Sequence, residues 1–379
     1  MITGLVGALL VISCVMVFSA NLYTQPIRQV VVQGVAILIG LAGILVIRLI
    51  PNRWIDNKHF LNFLLLITTG LIMFASLFGV DGGGARSWID LKFFKFQPSE
   101  VMKPLMVLTI ARVITYTKRT YLLKYEKGAV SNYYIPLVLV VLSLILIGSQ
   151  PDYGSVLILV GLGVAMAMLF LLSPKTNLLL VAGALVLIGL ALGASRVFGD
   201  FLVNSNYHVF ERIGIYINPF NYAQTDGFQI ISSYLSFAKG GWFGLGLGQG
   251  HLKAILPAAD TDFILAVIAE EFGFIGCSLV VLLLMTLIFY LLRVAATMNR
   301  RFHRVSIAGF ALLLLIQTCV NVGGLCGLIP LTGVTLPFLS YGGTSMIINL
   351  TLIGFVQKMI AEEKRMRQRA QMVKVERLV

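Results

Sequence analysis

The sequence predicts an all-α fold: a polytopic integral membrane protein with about ten transmembrane helices. Three observations carry this expectation. Several apolar runs exceed the roughly 18–20 residues needed to cross a bilayer. Hydrophobic residues make up 58% of the 379 and charged residues only 12%, more apolar material than one soluble core requires. No stretch alternates polar and apolar residues as barrel strands do, and backbone groups in lipid must be satisfied within the chain.

In chain order the expected spans are 2–20, 29–50, 59–79, 99–116, 133–150, 154–172, 177–195, 262–295, 304–328 and 340–361. The first begins directly in an apolar run without a basic leader, so it reads as a span and not as a cleaved signal. The fourth and sixth follow "FQPSE" (96–100) and "SQPDYG" (149–154), where Pro before Ser or Asp is helix-start chemistry. The eighth is long for one crossing, so it must tilt, kink or emerge from the bilayer. Residues 1–361 form a single ten-span domain, and 362–379 a basic cytoplasmic tail.

The formal net charge is +13. With both termini cytoplasmic, 20 of the 29 Lys and Arg fall in the cytoplasmic loops and tail. That is the positive-inside pattern, and it accounts for the charge without nucleic acid. The tail "KRMRQRAQMVKVER" reads as a membrane-surface and topology signal.

Two external segments stand out, 79–100 and about 196–261 between the seventh and eighth spans. The second is far longer than ordinary connections. It is rich in aromatics such as Tyr207, Phe210, Tyr216, Trp242 and Phe243, so it is expected to be an ordered cap lying partly on the membrane. Its glycine-rich end, "KGGWFGLGLGQGHLK", fits neither a phosphate-binding loop nor a dinucleotide fingerprint. Two readings stay open: a tight turn beside close helix packing, or backbone approaching a ligand.

The four cysteines lie in apolar runs and the four histidines show no metal spacing, so neither zinc chemistry nor a nucleophilic triad is expected. The polar residues of interest gather at the outer face. Glu100 and Lys103 share a helix face. Asp152 sits between two spans, Arg86 and Lys92 flank Trp88, and Arg212 and Lys239 lie in the long loop. Asp260 and Asp262 stand at the mouth of the eighth span, with Glu270 and Glu271 inside it. On an ideal helix Glu270 lies about 12 Å beyond Asp262 and is turned by about 80°. Ionisable residues within a span usually face a bundle interior or a wet cavity. Glu270 is therefore expected as a supporting, cavity-lining group and Glu271 as an internal packing contact. A purely structural role, as cap or ion pair, stays open for each acid.

"NVGGLCGLIPLTGVTLPFLSYGGTS" (321–345) resembles the signature of the RodA/FtsW/SpoVE family, the SEDS proteins of bacterial shape, division and sporulation. "GARSWIDLKFFKFQPSEVMK" (84–103), "SQPDYGS" (149–155), "KGGWFGLGLGQG" (239–250) and "TDFILAVIAEEFGFIG" (261–276) match it in order. The resemblance, slightly closer to RodA, covers essentially the whole chain. It implies a peptidoglycan glycosyltransferase in the bacterial cytoplasmic membrane, with an extracytoplasmic active site, polymerising lipid II for elongation or division. It implies a class B penicillin-binding protein, a transpeptidase, as partner.

Asp262 occupies the position of the family's essential acid, which the resemblance makes the general base of an inverting β-1,4 transfer. Lys103, Arg212 and Lys239 are candidates to clamp the pyrophosphate, with or without a divalent cation, Mg or Mn. Glu100 and Asp152 are candidates to orient Lys103 or hold such a cation. Arg86, Trp88 and the signature serines Ser340 and Ser345 complete the substrate-binding candidates. The family commonly has His where Asp260 stands, so Asp260 adds negative charge that could raise the pKa of Asp262. A lipid II flippase and a non-catalytic scaffold for the transpeptidase are the competing readings. The external clustering of the acids favours catalysis at one face over a path through the membrane.

Overall fold

The computed structural model describes residues 1–82, 85–92, 95–122, 131–184, 186, 214–224 and 227–376. Ten long helices organise them: α1 (Ile2–Ala20), α2 (Pro26–Leu49), α3 (Lys58–Phe78), α4 (Pro98–Leu122), α5 (Ser131–Ser149), α6 (Tyr153–Phe170), α7 (Gly227–Gly240), α8 (Ile264–Ala296), α9 (Arg301–Leu325) and α10 (Gly343–Glu376). Among the described residues, α1, α2, α3, α6, α8, α9 and α10 are each long and apolar enough to cross a membrane. In α4, Glu100, Lys103 and Arg112 interrupt the apolar sequence, while Met102, Val107, Leu108 and Ala111 are buried. Glu100 pairs with Lys103 inside the bundle, and the part-buried Arg112 pairs with Asp56, which is how a span tolerates such charges. Of the expected seventh span, residues 174–184 are helical and the part beyond 186 lies outside the described residues.

Local chemistry sets the helix starts. Asn57 caps α3, its side-chain oxygen accepting from the backbone N–H of His59 at 2.8 Å. Asp152 caps α6 by accepting from Ser155 N–H at 3.1 Å. α9 is the central post, buried along most of its length from Phe302 to Leu325. It packs against α4, α6 and α8, while α10 runs along α2 and α1 bridges α2 to α8. Large apolar side chains such as Leu38, Leu45, Phe63, Leu66, Leu142, Ile145, Leu282 and Phe289 stand exposed on the outside. An apolar exterior of this extent belongs against lipid.

Two features depart from the sequence reading. The first is a three-stranded antiparallel sheet, β1 (Val80–Gly82), β2 (Ala85–Asp90) and β3 (Lys95–Phe96), in the segment after α3. β1 and β3 are too short for a period-two pattern to register, and β2, "ARSWID", does not alternate.

The second is the eighth span. Gly273 breaks α8, with φ 64° and ψ −163°, a conformation essentially reserved for glycine. From Phe274 to Ala296 the helix already rises about 34 Å, enough to cross the bilayer. Residues 264–272 are surplus to crossing, and Ile264–Glu271 are buried without exception.

The break interrupts the helical bonds from residues 274 and 275 to the carbonyls of 270 and 271. Leu245 N–H donates to Glu270 O and Gly246 N–H to Glu271 O, both at 2.9 Å; Phe274 N–H donates to Gly241 O at 2.8 Å and Ile275 N–H to Trp242 O at 3.2 Å. The glycine-rich segment is thus the surrogate partner of a broken helix, and the helix-packing reading of it holds. A Cβ on Gly240 would sit 1.8 Å from Ala269 O and one on Gly244 2.2 Å from Glu271 O, so only glycine permits the approach.

Candidate active site

A cavity of about 620 Å³ opens between β2, the N-terminal ends of α2, α4 and α6, the turn before α8 and the segment between α9 and α10. Asp262, Glu100, Lys103, Asp152, Trp88 and Ser345 line it together, although four separate stretches of chain supply them. Arg28, Lys92, Lys95 and Asp90 add further charge to its wall.

Asp262 is half-buried and sits in the turn before α8, not on the helix, so the helical projection from Asp262 to Glu270 does not apply. The signature residues fix this turn from behind. Asn321 Nδ2 donates to Asp262 O at 2.8 Å and to Val334 O at 2.7 Å. Ser340 Oγ donates to Thr261 O at 2.6 Å, and Tyr341 N–H donates to Asp260 O at 2.7 Å. Gly333, with φ 66°, passes the carboxylate so closely that a Cβ there would lie 3.5 Å from Asp262 Oδ2.

Lys103 Nζ donates to Glu100 Oε1 at 2.5 Å, and both side chains are buried. Asp152 Oδ2 accepts from Gln97 Nε2 at 2.9 Å and from Ser99 Oγ at 3.2 Å. The two Gln-Pro helix starts therefore meet through Gln97 and Asp152. Among the described residues no group of three or more His, Cys, Asp or Glu side chains is arranged to hold a metal ion. Glu100 is committed to Lys103, and Asp152 to a cap and two donors, so this donor set does not make a protein cage for Mg or Mn.

Several expected site residues lie elsewhere. Arg86 is exposed and pairs with Asp81 at 3.9 Å, outside the cavity wall. Lys239 is exposed in the last turn of α7 and is also outside that wall. Arg212 lies outside the described residues. Ser340 acts behind the cavity, as a brace on the turn.

Asp260 faces α1, accepting from Asn21 Nδ2 at 3.0 Å. Burial pushes its carboxyl above the ordinary carboxylate range, and the Asn21 bond offsets this in part. Burial and the nearby Asp260 charge also raise the Tyr341 phenol, against a lowering by Arg28.

Glu270 does not line the cavity. It is buried and accepts from the backbone N–H of His251 at 2.9 Å and of Leu252 at 3.1 Å. Glu271 forms a fully buried ion pair with Lys253 at 2.5 Å and accepts from Ser19 Oγ at 2.5 Å.

The sequence reading missed Arg28, Lys95 and Tyr341 as wall residues. Only the approach of α2 to the α10 start makes Arg28 part of the site. A second, apolar pocket of about 150 Å³, lined by Val31, Val32, Val35, Ala36, Ile39, Gly343 and Ile347, adjoins the first through Val32 and Gly343.

Known proteins agree with this architecture. A probable peptidoglycan glycosyltransferase FtsW of Bacillus subtilis (strain 168) is 32% identical over 351 residues, covering 90% of this chain and 85% of its own. Stage V sporulation protein E of the same organism is 36% identical over 282 residues, 73% of this chain and 71% of its own. A solved chain described by the words "Structural coordination of polymerization and crosslinking by a peptidoglycan synthase complex" superposes with a TM-score of 0.73 at 26% identity, covering 96% of this chain and 97% of that one. The rod shape determining protein RodA of Thermus thermophilus shares the fold, with a TM-score of 0.66 at 24% identity over 96% of each chain. The cell cycle protein family model of FtsW, RodA and SpoVE matches residues 1–365, and the chain belongs to that family.

Proposed function

We propose that this protein is a peptidoglycan glycosyltransferase that polymerises lipid II at the outer face of the cytoplasmic membrane, with Asp262 as general base. The relative named above as a probable peptidoglycan glycosyltransferase supports the activity. The observation that carries the site assignment is the juxtaposition of two pockets. A polar cavity holding Asp262 among cationic side chains adjoins an apolar pocket between α2 and the start of α10. Lipid II has the same division, a sugar joined through pyrophosphate to a polyprenyl chain.

In the reaction, the 4-hydroxyl of the acceptor GlcNAc attacks the anomeric carbon of the donor MurNAc. Asp262 takes the hydroxyl proton as the new C–O bond forms. The bond from the anomeric carbon to pyrophosphate breaks, and undecaprenyl pyrophosphate leaves with the electron pair. The α-linked donor becomes a β-1,4 link by inversion. The leaving group needs charge stabilisation and no general acid. Lys103, held by Glu100, and Arg28, which donates to Gln25 Oε1 at 3.0 Å, are the proposed phosphate contacts. No step runs through a divalent cation. A class B penicillin-binding protein is the proposed partner, and both termini are proposed to be cytoplasmic.

The test is polymerisation of labelled lipid II by the purified protein with its cognate transpeptidase. Asp262→Ala and Asp262→Asn are expected to lower the rate by about 10²–10⁴-fold, the usual worth of a general base. Normal glycan strands from either variant would remove Asp262 from that role. A folded wild type that makes no strands but moves lipid II across vesicles would favour the flippase.

A further inference from the structure

The turn carrying Asp262 is held at the Asp260 and Thr261 carbonyls by the 336–342 segment, and that segment is itself held by two side chains from the other end of the chain. Gln33 of α2 is fully buried. Its Nε2 donates to Ser13 Oγ at 2.9 Å and to Ser340 O at 3.2 Å, and its Oε1 accepts from Gly342 N–H at 3.4 Å. Ser13 of α1, also fully buried, donates to Leu339 O at 2.8 Å. One amide and one hydroxyl thus satisfy the Leu339 and Ser340 carbonyls and the Gly342 N–H, in a region shielded from water.

The held segment is under strain and at work. Phe338, buried within it, takes the left-handed conformation at φ 62°, which is unfavourable for a side chain of that size. Such a conformation persists only where its surroundings over-determine it. Beyond it, Ser340 Oγ accepts from Leu336 N–H at 2.8 Å and donates to Thr261 O at 2.6 Å. Tyr341 N–H reaches Asp260 O. Gly342, Gly343, Thr344 and Ser345 then continue as cavity wall. Gln33 does not itself line the cavity, but its bonds set the segment on which the wall and the Asp262 turn depend.

We propose that Gln33, assisted by Ser13, is a positioning residue for the transfer reaction: it fixes the 339–342 segment and through it the turn carrying Asp262. This rests on the polymerase reading above. A side chain of similar length without hydrogen bonds would leave the packing in place and release the segment. Shifts of about 1 Å in a reacting group can cost about 100-fold in rate.

The experiment compares wild type, Gln33→Met, Ser13→Ala and the double variant, each with the cognate transpeptidase. Lipid II polymerisation gives kcat and KM per folded enzyme, and hydrogen exchange is followed by peptide. Gln33→Met is expected to lower kcat about 10- to 100-fold with KM within about twofold. Ser13→Ala is expected to lower kcat less, and the double variant to fall no further than Gln33→Met, because the two act as one unit. Exchange is expected to quicken in 258–263 and 336–342 and not in α9. Unchanged kcat in folded Gln33→Met, additive losses, or quickening spread over the whole bundle would each overturn the proposal. A wild type that makes no strands would sink the polymerase reading instead, and unchanged exchange at 258–263 would still overturn the role of Gln33 as a brace.

Discussion

Asp260 lies two residues before Asp262 in sequence, yet its carboxylate is turned to Asn21 of α1 while Asp262 lines the cavity. The pH consequence follows from burial. Its carboxyl sits above its ordinary value of 3.8 because desolvation disfavours the charge. The folded protein therefore binds this proton more tightly than the unfolded chain does. The contribution to stability is complete below the ordinary value and is lost as pH rises through the raised folded value. At neutral pH the buried charge is a net cost. Asp260→Asn removes the charge and keeps an oxygen for the Asn21 amide. It is expected to raise the melting temperature at pH 7 in detergent, with a smaller gain at pH 4. An equal gain at both pH values would show that charge is not the cause. The same pair marks what was readable residue by residue. Asp262 stands out through its place in a matched motif. The side-chain partner of Asp260 comes from position 21, those of Glu270 from 251 and 252, and those of Glu271 from 19 and 253, at separations no local pattern announces.

At the scale of elements, the glycine-rich segment and the helix it serves make one unit. The break at Gly273 relieves α8 of an excess length and leaves 264–271, with Glu270 and Glu271, inside the protein instead of in lipid. There Glu270 accepts from the His251 and Leu252 N–H groups, and Glu271 Oε1 is paired with Lys253 and Ser19. This is how carboxylates persist in an apolar stretch. Gly273→Ala would force a side chain into a glycine-only conformation, with its Cβ 2.5 Å from Gly244 N and Trp242 C. A destabilisation of at least about 1–3 kcal/mol is expected from the backbone alone. It would be read as a lowered midpoint in thermal unfolding, with loss of protection at 241–246. A variant with wild-type stability would mean that the break can heal into a continuous helix. The excess length of the eighth span was visible in the sequence. The location of the break was not, because it depends on a surrogate backbone partner some thirty positions earlier in the chain.

For the molecule as a whole, α9 sets the scale. Its first residue, Arg301, and Asn321, which holds the Asp262 turn, are about 30 Å apart along the axis, the thickness of the hydrocarbon core. At the Arg301 end the neighbouring Arg300 and His303 meet Glu362 and Glu363 of α10, with Glu363 Oε1 accepting from Asn299 N–H at 2.8 Å. The cavity and this charged cluster therefore lie at opposite membrane faces. In a background lacking Cys14, Cys277, Cys319 and Cys326, Asp81→Cys is expected to react with an impermeant maleimide in intact cells. Arg369→Cys, on the exposed extension of α10, is expected to react only after permeabilisation. The reverse pattern would invert the topology.

The sequence by itself determined the helical membrane class, most of the spans, the family and the acid to test, because hydropathy over a span and residues within a motif are local properties. Tertiary structure alone decided which cations share a wall with Asp262, that Arg86 and Lys239 do not, and that Glu270 supports a loop. It also set Gln33 and Ser13 behind the site. Those outcomes rest on hydrogen bonds and packing between segments from some twenty to over three hundred residues apart, and only the folded bundle brings such segments within hydrogen-bonding distance of one another.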